Sequence, residues 1–193
     1  WGGFCLIGDL IPYHALAEPY FTGASWVDQT VQAGMEMSRF LVRTNLMDSL
    51  YRDEVKRTNR IGVSLTGLHE LAWLGHGLTF RELIDLDNPM ARQFWDGIAE
   101  VSRYVIEEAD QYSSELGLTF PDTATTIKPS GTVSKLWALT EGAHLPAWGL
   151  YMRWVQFTAN DPLIEVYRRQ GYPVRGPLNT YKNTYIVGFP TQT

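Results

Sequence analysis

TTIKPSGTVSKL, residues 125–136, sits between a run that reads as a strand (residues 123–127) and one that reads as a helix from about Thr132. Between them lies Pro129-Ser130-Gly131-Thr132-Val133-Ser134. A loop entering a helix offers unpaired backbone N–H groups and the positive end of the helix dipole. Gly131 lets a ligand oxygen approach the backbone closely. Ser130, Thr132 and Ser134 add hydroxyls, and Lys128 and Lys135 flank the loop. The pattern therefore fits a phosphate cradle. Taken alone it equally fits a loop whose serine caps a helix, since Ser and Thr are common caps.

Outward from this loop, strand and helix signals alternate. Toward the N-terminus, Asn88-Pro89 opens the longest helix, because proline at the first helical position loses no hydrogen bond. Phe94, Trp95, Ile98, Val105, Ile106, Ala109, Tyr112 and Leu116 mark its buried face, and Gly117 closes it. Thr79 with Glu82 forms a capping box for a short helix. RIGVSLTGL (60–68) is an apolar, β-branched run and predicts a buried strand ended by Gly67, with a short helix over 68–75. Ser25 and Asp28 open a helix over 26–47, with apolar residues at helical spacing from Val27 to Leu46. FCLIGDLI (4–11) predicts a first strand. Toward the C-terminus, LYMRWVQF (150–157) fits either strand or helix. Asp161-Pro162 starts a helix that Gly171 ends, and NTYIVGF (183–189) predicts a closing strand. Alternation of this kind favours an α/β architecture with some parallel pairing.

The 193 residues suffice for one ordinary core, and no internal linker, repeat or low-complexity tract divides them. The chain is therefore expected to be one domain, or a piece of one. It begins at Trp1 and ends at Thr193 after an apolar run, and both ends are expected to continue in a larger fold. A formal net charge of −5 argues against a general nucleic-acid surface. No run is apolar enough for a bilayer, and the start lacks the basic region of a signal peptide. Cys5 is the single cysteine, which excludes an intrachain disulfide and predicts a reducing, cytoplasmic setting. His14, His69, His76 and His144 show no metal-ligand spacing, so no metal site is expected.

The order of these segments resembles the large, catalytic chain of ribonucleotide reductases over its C-terminal portion, from Cys5 to Pro190. RIGVSLTGL resembles that family's R-I-G barrel strand, and TTIKPSGTVSKL its T-x-x-P-[ST]-G-T-[IV]-S segment. EGAHLPAWGLYMRWVQF (141–157), DPLIEVYRRQGYPV (161–174) and NTYIVGFP (183–190) follow in family order. The pairing of WGLYMRWVQF with ANDPLIEVYRRQGYPV and a closing I-V-x-F-P strand is most like the adenosylcobalamin-dependent (class II) ribonucleoside-triphosphate reductases.

The resemblance implies part of a ten-stranded α/β barrel and reduction of ribonucleotides to 2′-deoxyribonucleotides by thiyl-radical chemistry. It implies adenosylcobalamin as cofactor and a nucleoside di- or triphosphate as substrate. Residues Pro129, Ser130, Gly131, Thr132, Val133 and Ser134 would bind the substrate's phosphates, and Cys5 would be one of the two redox thiols. His144 and Arg153 are candidate substrate or cofactor contacts, each with a plainer structural alternative. No Asn-x-Cys-x-Glu motif is present, so the radical cysteine would come from an N-terminal reductase segment, and a thioredoxin-like or other dithiol would be the reductant. This chain alone is not expected to complete a turnover. The competing readings are a catalytically silent nucleotide-binding module and another α/β enzyme with a Ser/Thr-rich phosphate loop. The strand cysteine and the downstream order count against the latter.

Overall fold

The computed structural model describes residues 5–16, 23–47, 52–143, 148–180 and 182–192. These fall into two compact units, 1–144 and 145–193, where the sequence suggests no boundary.

In the first unit, β1 (Leu6–Leu10) and β2 (Ile61–Leu65) pair in parallel, with Leu6 opposite Ile61 and Leu10 opposite Leu65. The connection between them carries α1 (Trp26–Asn45) and the short α2 (Arg52–Thr58), the crossover a parallel pair requires. Every residue of β2 is buried. Its free edge receives residues 123–126: Ile61 N donates to Thr123 O at 3.0 Å, and Val63 N to Ala124 O at 2.9 Å.

The strand expected over 123–127 is thus reduced to one parallel bridge, Val63 with Thr125. Two N–H groups a full repeat apart on β2 meet carbonyls of consecutive residues, the spacing of a bulge, so a regular ladder cannot form.

Helix α1 carries the expected capping box, with Ser25 Oγ accepting from Asp28 N and Asp28 accepting from Ser25 N. It packs on α5 (Pro89–Glu115), which Asn88 caps and Pro89 opens. The close approach needs a small residue: a Cβ on Gly34 would lie 2.7 Å from Val105 Cγ2. Leu10, Leu41, Val42, Ile61, Val63, Leu65, Val101, Val105 and Ala109 form the core between sheet and helices. Each fully buried aliphatic side chain there contributes about 1.5–3 kcal/mol. Ile106, assigned to the buried face of α5 from its spacing, is 41% exposed, and the stripe runs through Val101, Val105 and Glu108 instead.

Between α1 and α5 in the chain, α3 (Leu68–Glu70) continues into a π turn (Leu71–Gly75), and α4 (Phe80–Leu83) has the Thr79–Glu82 capping box. Gly67 (φ +76°) and Gly117 (φ +68°) take the left-handed conformation at the two helix boundaries assigned to them. The helix after the phosphate-loop candidate is a single turn, α6 (Val133–Leu136).

The second unit is an antiparallel sheet with one helix. β3 (Leu150–Thr158) pairs along its whole length with β5 (Thr184–Gln192), and β4 (Val174–Arg175) lies on the other edge of β5. This resolves the ambiguity at 150–157 in favour of a strand. Helix α7 (Leu163–Arg169) ends near Gly171 (φ +83°), and Tyr167 stands edge-on to Phe189 at 5.0 Å. The whole is α/β, with its parallel pairing in the first unit.

Candidate functional site at the end of the parallel strands

Side chains alternate across a strand, so Ile7 and Asp9 share one face of β1, and Leu6, Gly8 and Leu10 the other. The second face meets the helices: a Cβ on Gly8 would touch Met37 of α1, and Leu10 is in the core. The first face looks away from them, and Ile7 there is exposed. On β2 the partners in register on this face are Gly62, opposite Ile7, and Ser64, opposite Asp9.

Five polar side chains converge at the C-terminal end of the pair. Ser130 Oγ donates to Asp9 Oδ2 at 2.5 Å. Thr66 Oγ1 donates to Ser130 Oγ at 2.9 Å and lies 3.4 Å from Asp9 Oδ1. Lys128 Nζ contacts Asp9 Oδ2 at 3.0 Å, and Lys128 N donates to Ser64 Oγ at 2.9 Å. The Asp9 side chain is 6% exposed. Burial alone would raise its pKa. Hydrogen bonds from Ser130, Lys128 and Ser64, with the Lys128 charge, outweigh that and hold the carboxyl below its usual range.

This network fixes the loop. Ser130 is buried and sits at φ +50°, a left-handed conformation that costs a residue with a Cβ. Its carbonyl accepts from Ser134 N at 3.0 Å, which closes the turn into α6. Pro129, Gly131 and Thr132 are exposed, and Val133 is half-buried. Nothing lies within 4 Å of where a Cβ on Gly131 would be. Ser134 is fully buried, and its hydroxyl has no hydrogen-bond partner. Lys135 is taken up by Glu141 at 3.1 Å and by Leu139 O at 3.1 Å. Both lysines beside the loop are therefore held by carboxylates, and the loop's exposed residues are Pro129, Gly131 and Thr132.

Cys5 is exposed and directly precedes β1, rather than lying buried within a strand. Partial burial pushes its thiol up, and the Arg60 charge partly opposes this. Four residues of extended chain separate it from Asp9, about 13 Å at the usual rise. Cys5 thus lies before the N-terminal end of β1, and the polar cluster at its C-terminal end.

Arg153 is half-buried on β3 in the second unit. His144 lies outside the described residues. Asp9, Ser64 and Thr66 were not anticipated as site residues. The available signal was a charge in an apolar strand, two alternations from Cys5, and two hydroxyls at alternate positions of RIGVSLTGL. Among the described residues no group of three His, Cys, Asp or Glu side chains could hold a metal ion, and no helix is long and apolar enough to cross a membrane.

No family model matches the chain. It is 35% identical over 150 residues to the adenosylcobalamin-dependent ribonucleoside-triphosphate reductase of Lactobacillus helveticus (strain DPC 4571), covering 72% of this chain and 20% of that protein. The reductase of the same name from Lacticaseibacillus paracasei is 33% identical over 154 residues, again with 72% and 20% covered. The chain thus spans about a fifth of the length of these curated relatives. In fold it matches the crystal structure of a B12-dependent (class II) ribonucleotide reductase with a TM-score of 0.67, at 21% identity, over 97% of this chain and 27% of the other. Over the matched stretch, the chain is homologous to one segment of the adenosylcobalamin-dependent ribonucleoside-triphosphate reductases, and its α/β fold matches part of a class II ribonucleotide reductase.

Proposed function

We propose that this chain is the C-terminal portion of the catalytic domain of a ribonucleotide reductase, a piece of a ten-stranded α/β barrel, working in the cytoplasm. It carries the substrate-phosphate loop, residues 129–134, and one redox thiol, Cys5. The observation that carries this is the loop itself. Ser130 is pinned to Asp9, and Gly131 and Thr132 are exposed beside it, at the C-terminal end of parallel strands where α/β folds bind ligands.

In the reaction a thiyl radical from a separate segment removes the ribose 3′-hydrogen. The 2′-hydroxyl leaves as water, and two thiols become a disulfide. One ribonucleotide and two thiols yield one 2′-deoxyribonucleotide, one disulfide and one water. A thioredoxin-like or small dithiol then returns the pair to the reduced state. The single cysteine here supplies one of those two thiols, with its partner upstream. Loop 129–134 holds the di- or triphosphate so that the ribose is fixed, and such positioning lowers the barrier by restricting the reactants' freedom. Adenosylcobalamin, when bound, supplies the radical. Arg153 and His144 remain candidate contacts to substrate or cofactor.

The test combines this chain with an N-terminal reductase segment, CTP, adenosylcobalamin and dithiothreitol, and measures deoxynucleotide. Turnover that Cys5→Ser abolishes supports the proposal. Turnover unaffected by Cys5→Ser removes the thiol from it. Nucleotide binding without any turnover would leave a silent binding module.

A further inference from the structure

We propose that Asp9 is a positioning residue for the phosphate loop: it holds Ser130 in its left-handed conformation and keeps Lys128 off the ligand. A nucleoside polyphosphate is then met by the exposed part of the loop, Gly131 and Thr132, and not by the Lys128 ammonium. The proposal rests on the phosphate-loop reading above and deepens it.

Ser130 is the loop's first buried residue and has φ +50°. A serine left to itself prefers the right-handed or extended regions. Two bonds oppose that preference: its hydroxyl donates to Asp9 at 2.5 Å and accepts from Thr66 at 2.9 Å. Both partners lie on or beside the parallel pair, Asp9 in β1 and Thr66 just after β2, where Thr66 N is itself tied to Leu10 O at 2.9 Å. The backbone of residues 131–134 takes its course from that fixed point. Asp9 also contacts Lys128 at 3.0 Å, so the lysine just before the loop is already engaged.

The proposal makes a prediction opposite in sign to simple electrostatics. Removing a carboxylate beside an anion site, and freeing a lysine, should strengthen anion binding by Coulomb attraction alone. Loss of positioning should weaken it. The full chain is titrated calorimetrically with inorganic triphosphate and with CTP. Asp9→Asn is expected to weaken both roughly tenfold. In a Ser130→Gly background the left-handed conformation carries no penalty, so adding Asp9→Asn should change affinity less than about threefold. Lys128→Gln, which leaves the Asp9–Ser130 bond in place, should likewise change it less than about threefold.

Tighter or unchanged binding in Asp9→Asn overturns the proposal. So does an equal loss in the Ser130→Gly background, or a tenfold loss in Lys128→Gln. Thr66→Val loosens Ser130 without removing a charge; it should weaken binding in the same direction and serves if Asp9→Asn does not fold. Failure of the wild-type chain to bind either probe sinks the phosphate-loop reading itself, and this proposal with it.

Discussion

The Thr126 methyl occupies the space that a side chain on Gly62 would need: a Cβ there would lie 2.7 Å from Thr126 Cγ2 and 3.3 Å from Ile7 Cγ1. Thr126 is β-branched and stiff about χ1, so it cannot swing aside. It stands two residues before Lys128, at the entry to the phosphate loop. Gly62→Val should therefore destabilise the chain by about 1–3 kcal/mol, the usual cost of overpacking. It should also weaken triphosphate binding by shifting the loop's base. Urea unfolding and calorimetric titration check the two effects. Gly131→Val is the contrast, because open space surrounds that position. It should leave the melting curve nearly unchanged and weaken binding by obstructing the loop's exposed side.

Glu108 ties the two long helices together. Its Oε1 lies 2.6 Å from Arg39 Nη1, and its side chain is 9% exposed against 43% for arginine. Arg39 also reaches Glu115 at 3.5 Å and stacks over Tyr112 at 4.0 Å. Arg39→Ala would leave a nearly buried carboxylate without its partner and remove the stacked guanidinium. A measurable loss of stability is expected, less than for a fully buried pair because the arginine is half in water. Arg39→Lys should recover only part of it, since an ammonium lacks the planar fork. Chemical denaturation of the three proteins decides this.

Helix starts and stops were the most legible features of the sequence. Ser25–Asp28, Thr79–Glu82 and Asn88-Pro89 all cap helices as their side-chain chemistry requires. These are local interactions within four residues, so the local sequence contains them. The parallel pairing of FCLIGDLI with RIGVSLTGL was legible only as a class, because register depends on contacts 55 residues apart. The bulge that reduces 123–127 to a bridge comes from a shift in backbone pairing, which residue types do not encode. The loop could be found from its Ser, Thr and Gly content. Its anchor could not: Asp9 and Ser130 are separated by 121 residues, and nothing local to LIGDL marks its aspartate as facing a distant serine.

Cys5 should react as an accessible but sluggish thiol. It is exposed, yet partial burial raises its pKa, with Arg60 pulling the other way. The thiolate is the reactive form. The native chain should take up one equivalent of iodoacetamide, with a rate that reaches half its maximum above the pH of an ordinary thiol, about 8.5. Arg60→Gln removes the opposing charge and should move that midpoint higher still. A midpoint below 8.5 in the wild type would mean that the arginine outweighs burial.

Acid should destabilise the fold in two separate windows. His76 has an Nε2 sealed from water with no hydrogen-bond partner, and its ring meets Trp26 at 5.8 Å and Phe94 at 5.6 Å. Burial lowers its pKa from the ordinary histidine value. Between that lowered value and about 6.5, the unfolded chain binds a proton that the folded chain refuses. Stability is therefore complete above about 6.5 and declines as the pH falls through the histidine range. Asp9 acts lower: its stabilisation is complete above the ordinary carboxylate value, about 3.9, and is lost as the pH falls toward its depressed one. Melting temperatures from pH 7.5 to 5 should fall in the wild type. They should fall less in His76→Phe, which keeps the aromatic packing and removes the titrating nitrogen. Asp9→Asn should keep the decline between pH 7.5 and 5 and flatten the curve below 4. If His76→Phe shows the same decline as the wild type above pH 5, the buried ring is not its source.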